Sequence, residues 1–291
     1  MNQQYLKFFL AVTVLILIVT YIFFNMPYDN VSSVKSNSRG INFDQRDSQR
    51  EKEIEKERES EKKRQLRDKA LIFDLSSRLN TAMKTIGQLN CNISKEEVSD
   101  NGGWCSRLSG RNSPLHLTDQ SLASAISDFL ANKTVASFGD GPGAYKELIN
   151  NLGKVKVYDS YDGAPFAEQT TNNNVQFLDL SVPIYHIKKY DWIMSLEVAE
   201  HIPEKFESTY IDNLVRHSRE GIILSWAKIG QQGHSHVNNR DFDYVKKVLE
   251  TKGYSHDNVA TEAIRARTVF HWLKSNINVY RKLKTSDDGD D

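Results

Sequence analysis

At 291 residues with 38 basic and 38 acidic side chains, the chain has a formal net charge of +0 and room for one ordinary domain plus appendages. Without a basic excess to drive phosphate contacts, a nucleic-acid binder is excluded as the first reading. Two cysteines, Cys91 and Cys105, are too few for a disulfide scaffold and lack zinc-site spacing.

Phe8 to Phe24 carries no charge, and with the flanking Tyr5, Leu6, Asn25 and Met26 it is long enough to span a bilayer. A cleaved signal peptide is the rival reading, but the residues after Phe24 offer no small-x-small cleavage site. Residues 8–24 are therefore expected to be a membrane anchor. Lys7 and the amino terminus precede it, so residues 1–7 are expected in the cytosol. The bulk of the chain would then face the lumen of the Golgi or another secretory membrane, a single-pass type II arrangement. Sequons at Asn30, Asn92 and Asn132 permit glycosylation.

Residues 25–90 read as a stem. Arg46 to Lys69 is dense in Glu, Lys and Arg, and alternating signs support a solvated helix as readily as disorder. Ile72, Leu75, Leu79, Ala82, Ile86 and Leu89 follow at coiled-coil spacing, a seam that either dimerises the stem or packs on the domain. Cys91 and Cys105 flank Gly102-Gly103-Trp104 and would pair in an oxidising lumen. The catalytic domain is expected over 91–285, with a disordered acidic tail over 286–291.

Within the domain, Thr118 is expected to cap a helix with Leu122, Ile126, Phe129 and Leu130 on one face. Val135 to Phe138 then runs into Gly139-Asp140-Gly141-Pro142-Gly143 and a helical pattern closed by Gly153, which reads as strand, glycine turn, helix. Further strands are expected at Val155–Tyr161, Val175–Leu178, Tyr190–Ser195 and Gly221–Trp226, another near Val259, and a last one at Ile277–Leu283. Helices are expected from Pro203, from Asp241 to Thr251, and across Ile264, Val269, Phe270 and Leu273. Strands alternating with helices predict a doubly wound α/β sheet, whose ligands bind beyond the carboxyl ends of the strands.

The glycines are spaced G-x-G-x-G, one place short of the dinucleotide fingerprint, which disfavours an NAD-dependent oxidoreductase. Asp162, about 20 residues on at the end of the second strand, is the expected partner of a ribose diol, with Asp159 as a second candidate. Here the chain resembles the class I S-adenosylmethionine-dependent methyltransferases. VASFGDGPG resembles that family's first motif, VYDSYDGAP its acidic strand-two motif, VQFLDLS its third and YDWIMSLEVAEHIP its fourth; GIILSWA and INVYRKL resemble its fifth strand and its antiparallel last strand. The resemblance covers residues 104–284 and implies a Rossmann-like seven-stranded sheet. It implies S-adenosyl-L-methionine as cofactor, held by Gly139, Asp140, Gly141, Gly143, Asp162, Asp179, Leu180, Ser195 and Leu196, with Asp179 facing the adenine amino group. Asp140 stands where many members carry a small residue, and its charge would repel the donor's carboxylate.

Acceptor-side and catalytic candidates cluster after strands four and five: Glu197 and His201 after the fourth, with Glu200 as a helix start, and His234 and His236, beside Asn238 and Asn239, after the fifth. His234 and His236 have the spacing to bind a metal with Glu197 or His201, but loop histidines more often serve without one, and no metal is expected. Two other readings stand beside methyl transfer to a glycan, protein or small molecule. Anchor and stem are the usual architecture of glycosyltransferases, for which Asp241-Phe-Asp243 has the letters of a metal motif but sits at a helix start. A non-catalytic binding protein that kept the fold is the other.

Overall fold

The computed structural model describes residues 43–106 and 116–284. The expected tail, anchor and Asn30 sequon, and the acidic tail, lie outside the described residues; among these, no helix is long and apolar enough to cross a membrane. Two units are distinguished, one ending at Ser60 and one beginning at Glu61. The first contributes the start of helix α1, Phe43–Ser94, whose residues from Ser48 to Ser60 are exposed. The charged stretch is thus helical, as the alternation of signs allows.

In the second unit, the strands are β1 (Thr134–Phe138), β2 (Val157–Asp162), β3 (Gln176–Phe177), β4 (Tyr190–Ser195), β5 (Ser218–Leu224), β6 (Tyr254–His256) and β7 (Asn278–Lys282). They form a seven-stranded sheet in the order β3-β2-β1-β4-β5-β7-β6. The pairs from β3 through β5 are parallel, and β7 runs antiparallel to both β5 and β6. The order reverses at β1, between β2 and β4, and this switch point opens a crevice at the carboxyl ends.

Both faces of the sheet are covered. Helices α2 (Gln120–Phe129), α3 (Ala144–Leu152) and α7 (Asn258–Arg267) press Leu122, Ile126, Ile149 and Ile264 onto Val135, Trp192, Met194 and Ile223. On the other face α5 (Glu207–His217) and α6 (Phe242–Thr251) bring Tyr210, Ile211, Leu214, Val245 and Leu249 against Phe138, Ile193 and Ile222. Each fully buried aliphatic of this kind contributes roughly 1.5–3 kcal/mol, and central strands covered on both faces read as apolar runs for this reason.

Several boundaries differ from expectation, each for a local reason. Asp119, not Thr118, caps α2: one carboxylate oxygen accepts from Leu122 N at 2.9 Å. Its other oxygen accepts from Val269 N and Phe270 N, so the single helix expected across Ile264 to Leu273 breaks into α7 and α8 (His271–Asn276). Val259 lies in α7, not in a strand, because Asp257 caps that helix by accepting from Ala260 N; the sixth strand ends just before, at His256. Strand β5 starts at Ser218 and ends at Leu224, leaving Ser225 and Trp226 beyond it. A short helix α4 (Ala167–Thr170) bridges β2 and β3.

The apolar seam of α1 does not pack on the domain: Ile72, Leu75, Leu79, Ile86 and Leu89 are exposed. The neighbouring polar face packs instead. Ser76 Oγ lies 2.9 Å from His186 Nδ1, Gln88 donates to the Pro165 carbonyl, and Lys84 pairs with Glu168. Asn80 uses both ends of its amide, donating to the Phe177 carbonyl at 3.0 Å and accepting from Asp179 N at 2.9 Å. These two bonds close the open edge of β3. Replacing Asn80 with Ala leaves both main-chain partners without their protein bond, at a cost on the order of 1–3 kcal/mol. Urea unfolding of Asn80→Ala should show that loss; an unchanged midpoint would mean α1 is not held to the sheet by this contact.

Candidate functional site

A cleft of about 280 Å³ lies at the carboxyl ends of β1, β2 and β4, close to the lower limit of small-molecule sites, roughly 300 Å³. Its floor is the glycine turn. Gly139, Gly141 and Gly143 stand at φ +88°, +55° and +80°, a conformation that favours glycine. The N–H groups of Gly139 and Asp140 donate to the Tyr161 carbonyl, Gly143 N donates to the Asp140 carbonyl, and Gly141 N donates to Asp162 Oδ2 at 2.7 Å. The turn's own donors are therefore spent on the protein, and what it offers a ligand is close approach of main chain.

Asp162, at the end of β2, is 8% exposed and also accepts from Ala164 N at 2.8 Å. With one protein bond on each oxygen it retains lone pairs for a diol. Burial pushes its carboxyl above the usual range. Asp159, the alternative, is committed elsewhere, to Lys188 at 3.0 Å and the Tyr190 hydroxyl at 2.8 Å. Asp140 lines the cleft, yet its carboxylate is held by the hydroxyls of Ser137 at 3.0 Å, Tyr158 at 3.3 Å and Ser160. Those three donors soften the expected repulsion of a ligand carboxylate; burial pushes Asp140 up to about 6, the Asp162 charge adding to it, which still leaves it mostly ionised at pH 7.

Leu180 and Leu196 line the cleft as expected. Three other expected contacts, Gly143, Ser195 and Asp179, do not line it. Ser195 is fully buried, and its hydroxyl bonds the Phe138 carbonyl at 2.7 Å and the Tyr210 hydroxyl at 2.8 Å, so it stitches β4 to β1 and α5. Asp179 is fully buried beside Leu180; Oδ1 accepts from the Ser181 N–H and hydroxyl, while Oδ2 has no partner among the described residues.

Glu197, His201, His234 and His236 all line the cleft. Glu197 takes φ +54°, and its N–H donates to Ser225 Oγ at 2.7 Å. Its carboxyl is raised by burial, with Ser225 and Asn276 favouring the charged form. The loop after β5 is fastened back onto the turn after β4: Val237 N and Asn238 N donate to the Glu200 carbonyl, and Trp226 Nε1 donates to the Asn238 carbonyl. This brings His236 edge-on to His201, ring centres 5.0 Å apart. His201 is lowered to about 4, by burial first and by its histidine neighbours; burial lowers His236 as well. Both are neutral imidazoles at pH 7. His234 is set apart from them, stacked on Trp104 at 5.0 Å and paired with Glu97 at 2.6 Å. The metal set weighed from sequence, centred on His234 and His236, therefore does not form. Glu200, His201 and His236 come together instead, with potential ligand atoms within 4.8 Å of one another. Glu200 is a fully buried side chain rather than a mere helix start. Asp241 and Asp243 sit at the start of α6 and do not line the cleft.

The lining also includes residues that sequence reasoning left unused. Asn101, Gly102, Gly103 and Trp104 lie between Cys91 and Cys105, which are joined as expected with Cα atoms 5.4 Å apart, so that the disulfide closes a cap over the cleft. Within the cap, Asn101 donates to the Gly163 carbonyl at 3.1 Å, and Trp104 packs on His116, His201 and His234. A Cβ on Gly103 would lie 2.2 Å from the Gly163 carbonyl oxygen, so only glycine lets the cap seat. His116 lies over Gly141, where an added Cβ would stand 3.2 Å from its Nδ1. The GGW triplet between two cysteines was the sequence signal for this cap.

No protein-family model matches the sequence, and no curated protein does. Solved structures of methyltransferases are similar in part. Magnesium protoporphyrin IX methyltransferase from Synechocystis PCC 6803 with bound SAM is 16% identical, covering 69% of this chain and 97% of its own, at a TM-score of 0.45. The CcbJ methyltransferase from Streptomyces caelestis is 8% identical over 65% of this chain and 100% of its own, at 0.44. A glycopeptide N-methyltransferase complexed with sinefungin is 9% identical over 58% and 95%, at 0.43. At such scores the likeness carries no argument about this chain.

Asp140 yields a pH test. Its folded value, about 6, lies above the ordinary 3.8. Its contribution is therefore full below the ordinary value and is lost as pH climbs through about 6, on the order of 3 kcal/mol in all. Thermal unfolding of the wild type should fall relative to Asp140→Asn between about pH 4 and pH 7. A constant gap across that range would show that this carboxyl titrates normally.

Proposed function

We propose that the chain is an S-adenosylmethionine-dependent methyltransferase. The observation that carries this is the glycine turn leaving β1, tied to the Asp162 carboxylate at the end of β2 at the switch point of a 3-2-1-4-5-7-6 sheet. The chain's groups fit the donor. Gly139 and Gly141 give its amino-acid portion close main-chain approach, Asp162 has lone pairs for the ribose diol, and Leu180 and Leu196 offer apolar walls for a flat base.

When bound, the donor supplies a sulfonium methyl whose leaving group needs no activation, so the protein's task is alignment and exclusion of water. An acceptor aligned in the cleft would take the methyl by its lone pair, and the carbon–sulfur pair would leave with the donor's sulfur. Trp104 and the disulfide-closed cap shield the cleft. Glu197, His201, His234 and His236 line it where an acceptor would be read, and the neutral imidazoles can take a proton from a hydroxyl or amine acceptor.

Residues 8–24 remain, in this reading, a membrane anchor that places the domain on the lumenal side of a secretory membrane. The uncharged apolar run and the pairing of Cys91 with Cys105 support it, and Asn92 and Asn132 are exposed, as glycosylation requires. The exposed seam Ile72 to Leu89 offers a surface for a homodimer through the stem.

Calorimetry with the full chain should detect S-adenosylhomocysteine binding. Gly141→Val should abolish it, because a branched side chain at φ +55° is strained and meets His116. Asp162→Ala should weaken it by about tenfold or more, the worth of a hydrogen bond to a charged group. Circular dichroism of both variants checks the fold. Heat with a nucleotide sugar, and none with the donor or its product, would reverse the assignment.

A further inference from the structure

The strongest unexplained feature of the cleft is Glu200. It is 0% exposed, and neither carboxylate oxygen has a hydrogen-bond partner among the described residues. The N–H groups of Glu200 and Ala227 lie near enough to favour the charged form without bonding it. Buried polar atoms are normally satisfied, and protonation resolves the case only in part: a neutral carboxyl could donate to one neighbouring acceptor and would leave its other oxygen, and the remaining neighbours, unpartnered. Two further atoms in the same place are orphans, Oε1 of Glu197 and Nδ1 of His236. Four ligand-competent atoms, three of them carboxylate oxygens, thus lack partners in one corner of the cleft.

The tautomers fit a single explanation. His201 Nδ1 lies 3.3 Å from the Ser235 carbonyl, which makes that nitrogen the N–H donor and leaves Nε2 with its lone pair. The Nδ1 of His236 stays unpartnered among the described residues. A ring nitrogen turned to a carbonyl while the other is held free is the arrangement of a metal-ligating histidine.

We infer that Glu200, His201 and His236 form a binding site for one divalent transition cation, with Glu197 beside it as a further carboxylate. The ligand atoms of the three already lie within 4.8 Å of one another, as a shared ion requires. Two imidazoles and a carboxylate suit manganese, iron, cobalt or zinc better than calcium or magnesium, which take all-oxygen shells. The Glu200 and Glu197 charges are then compensated in place, and the fastening of the loop after β5 to the Glu200 carbonyl becomes the device that presents His236 to the ion. The site lies in the same cleft as Trp104 and the glycine turn, so a bound ion would face any acceptor admitted there. An acceptor bearing an oxygen would gain a Lewis acid that lowers its pKa. The site itself stands on these side chains and does not depend on the identity of the methyl donor.

The test uses the full chain in detergent, stripped with a chelator and dialysed. Titration with cobalt(II) chloride should give visible d–d absorption saturating near one equivalent, displaced by zinc chloride; manganese(II) chloride should bind by electron paramagnetic resonance. His236→Ala and Glu200→Gln should each weaken uptake by about tenfold or more, while His271→Ala, an exposed histidine outside the cleft, should leave it unchanged. Circular dichroism identifies a variant that has lost its fold, and the other variant then decides. No uptake of any of the three metals by the wild type would overturn the inference, as would equal uptake by a folded Glu200→Gln or His236→Ala. S-adenosylhomocysteine binding, measured on the same samples, reports separately on the methyl-transfer reading: uptake without it would sink that reading and leave the cation site standing.

Discussion

The pair of hydrogen bonds accepted by Asp162, from Gly141 and Ala164, is the constraint on which the site depends. One carboxylate joins the turn after β1 to the turn after β2, so the two strand ends cannot drift apart and the cleft keeps its width. The same position anchors the cap, because Asn101 bonds the carbonyl of Gly163, the next residue. Charge-assisted bonds of this kind are about twice as strong as neutral ones. Burial raises the cost of losing either partner, since a carboxylate abandoned at 8% exposure cannot turn to water.

Around that point the protein recruits polar side chains to hold loops where the sheet alone would leave them free. Asp119 begins one helix and interrupts another with its two oxygens. Glu207 receives Asn238, Arg240 and Tyr244, and so steadies the loop that carries the histidines. Asn213 holds the segment after β3 through the Leu180 and Val182 carbonyls. Each is buried or nearly so, and each satisfies main-chain groups that irregular backbone leaves over.

Most of the sheet was legible in the sequence, because strands covered on both faces are written as apolar runs such as Val135–Phe138 and Ile222–Leu224, and glycines mark where they end. The errors fall where a few side-chain contacts overrule local pattern. Val259 has a β-branched side chain and reads as strand, but Asp257 turns its neighbourhood into a helix. Ser195 sits at the end of a motif that implies ligand contact, yet its hydroxyl finds closer partners in the core. The apolar seam of α1 reads as a packing face, while the packing is done by polar residues one step around the helix. For the site, the glycine turn, Asp162 and the histidine loop could be named from spacing. The seating of the cap on Gly163 and the meeting of His236 with Glu200 and His201 could not, since each joins residues distant in sequence that only the fold brings together.

Glu197 bears on how the protein balances firmness against use. A glutamate at φ +54° is held in a left-handed conformation that side chains of its size seldom take. Such a backbone costs roughly 1–2 kcal/mol relative to ordinary geometry, and glycine would take it without cost. The chain instead keeps a carboxylate-bearing residue there, its main-chain N–H donating to the hydroxyl of Ser225. The turn after β4 is therefore a place where evolution could gain stability by one substitution and has something to lose by it.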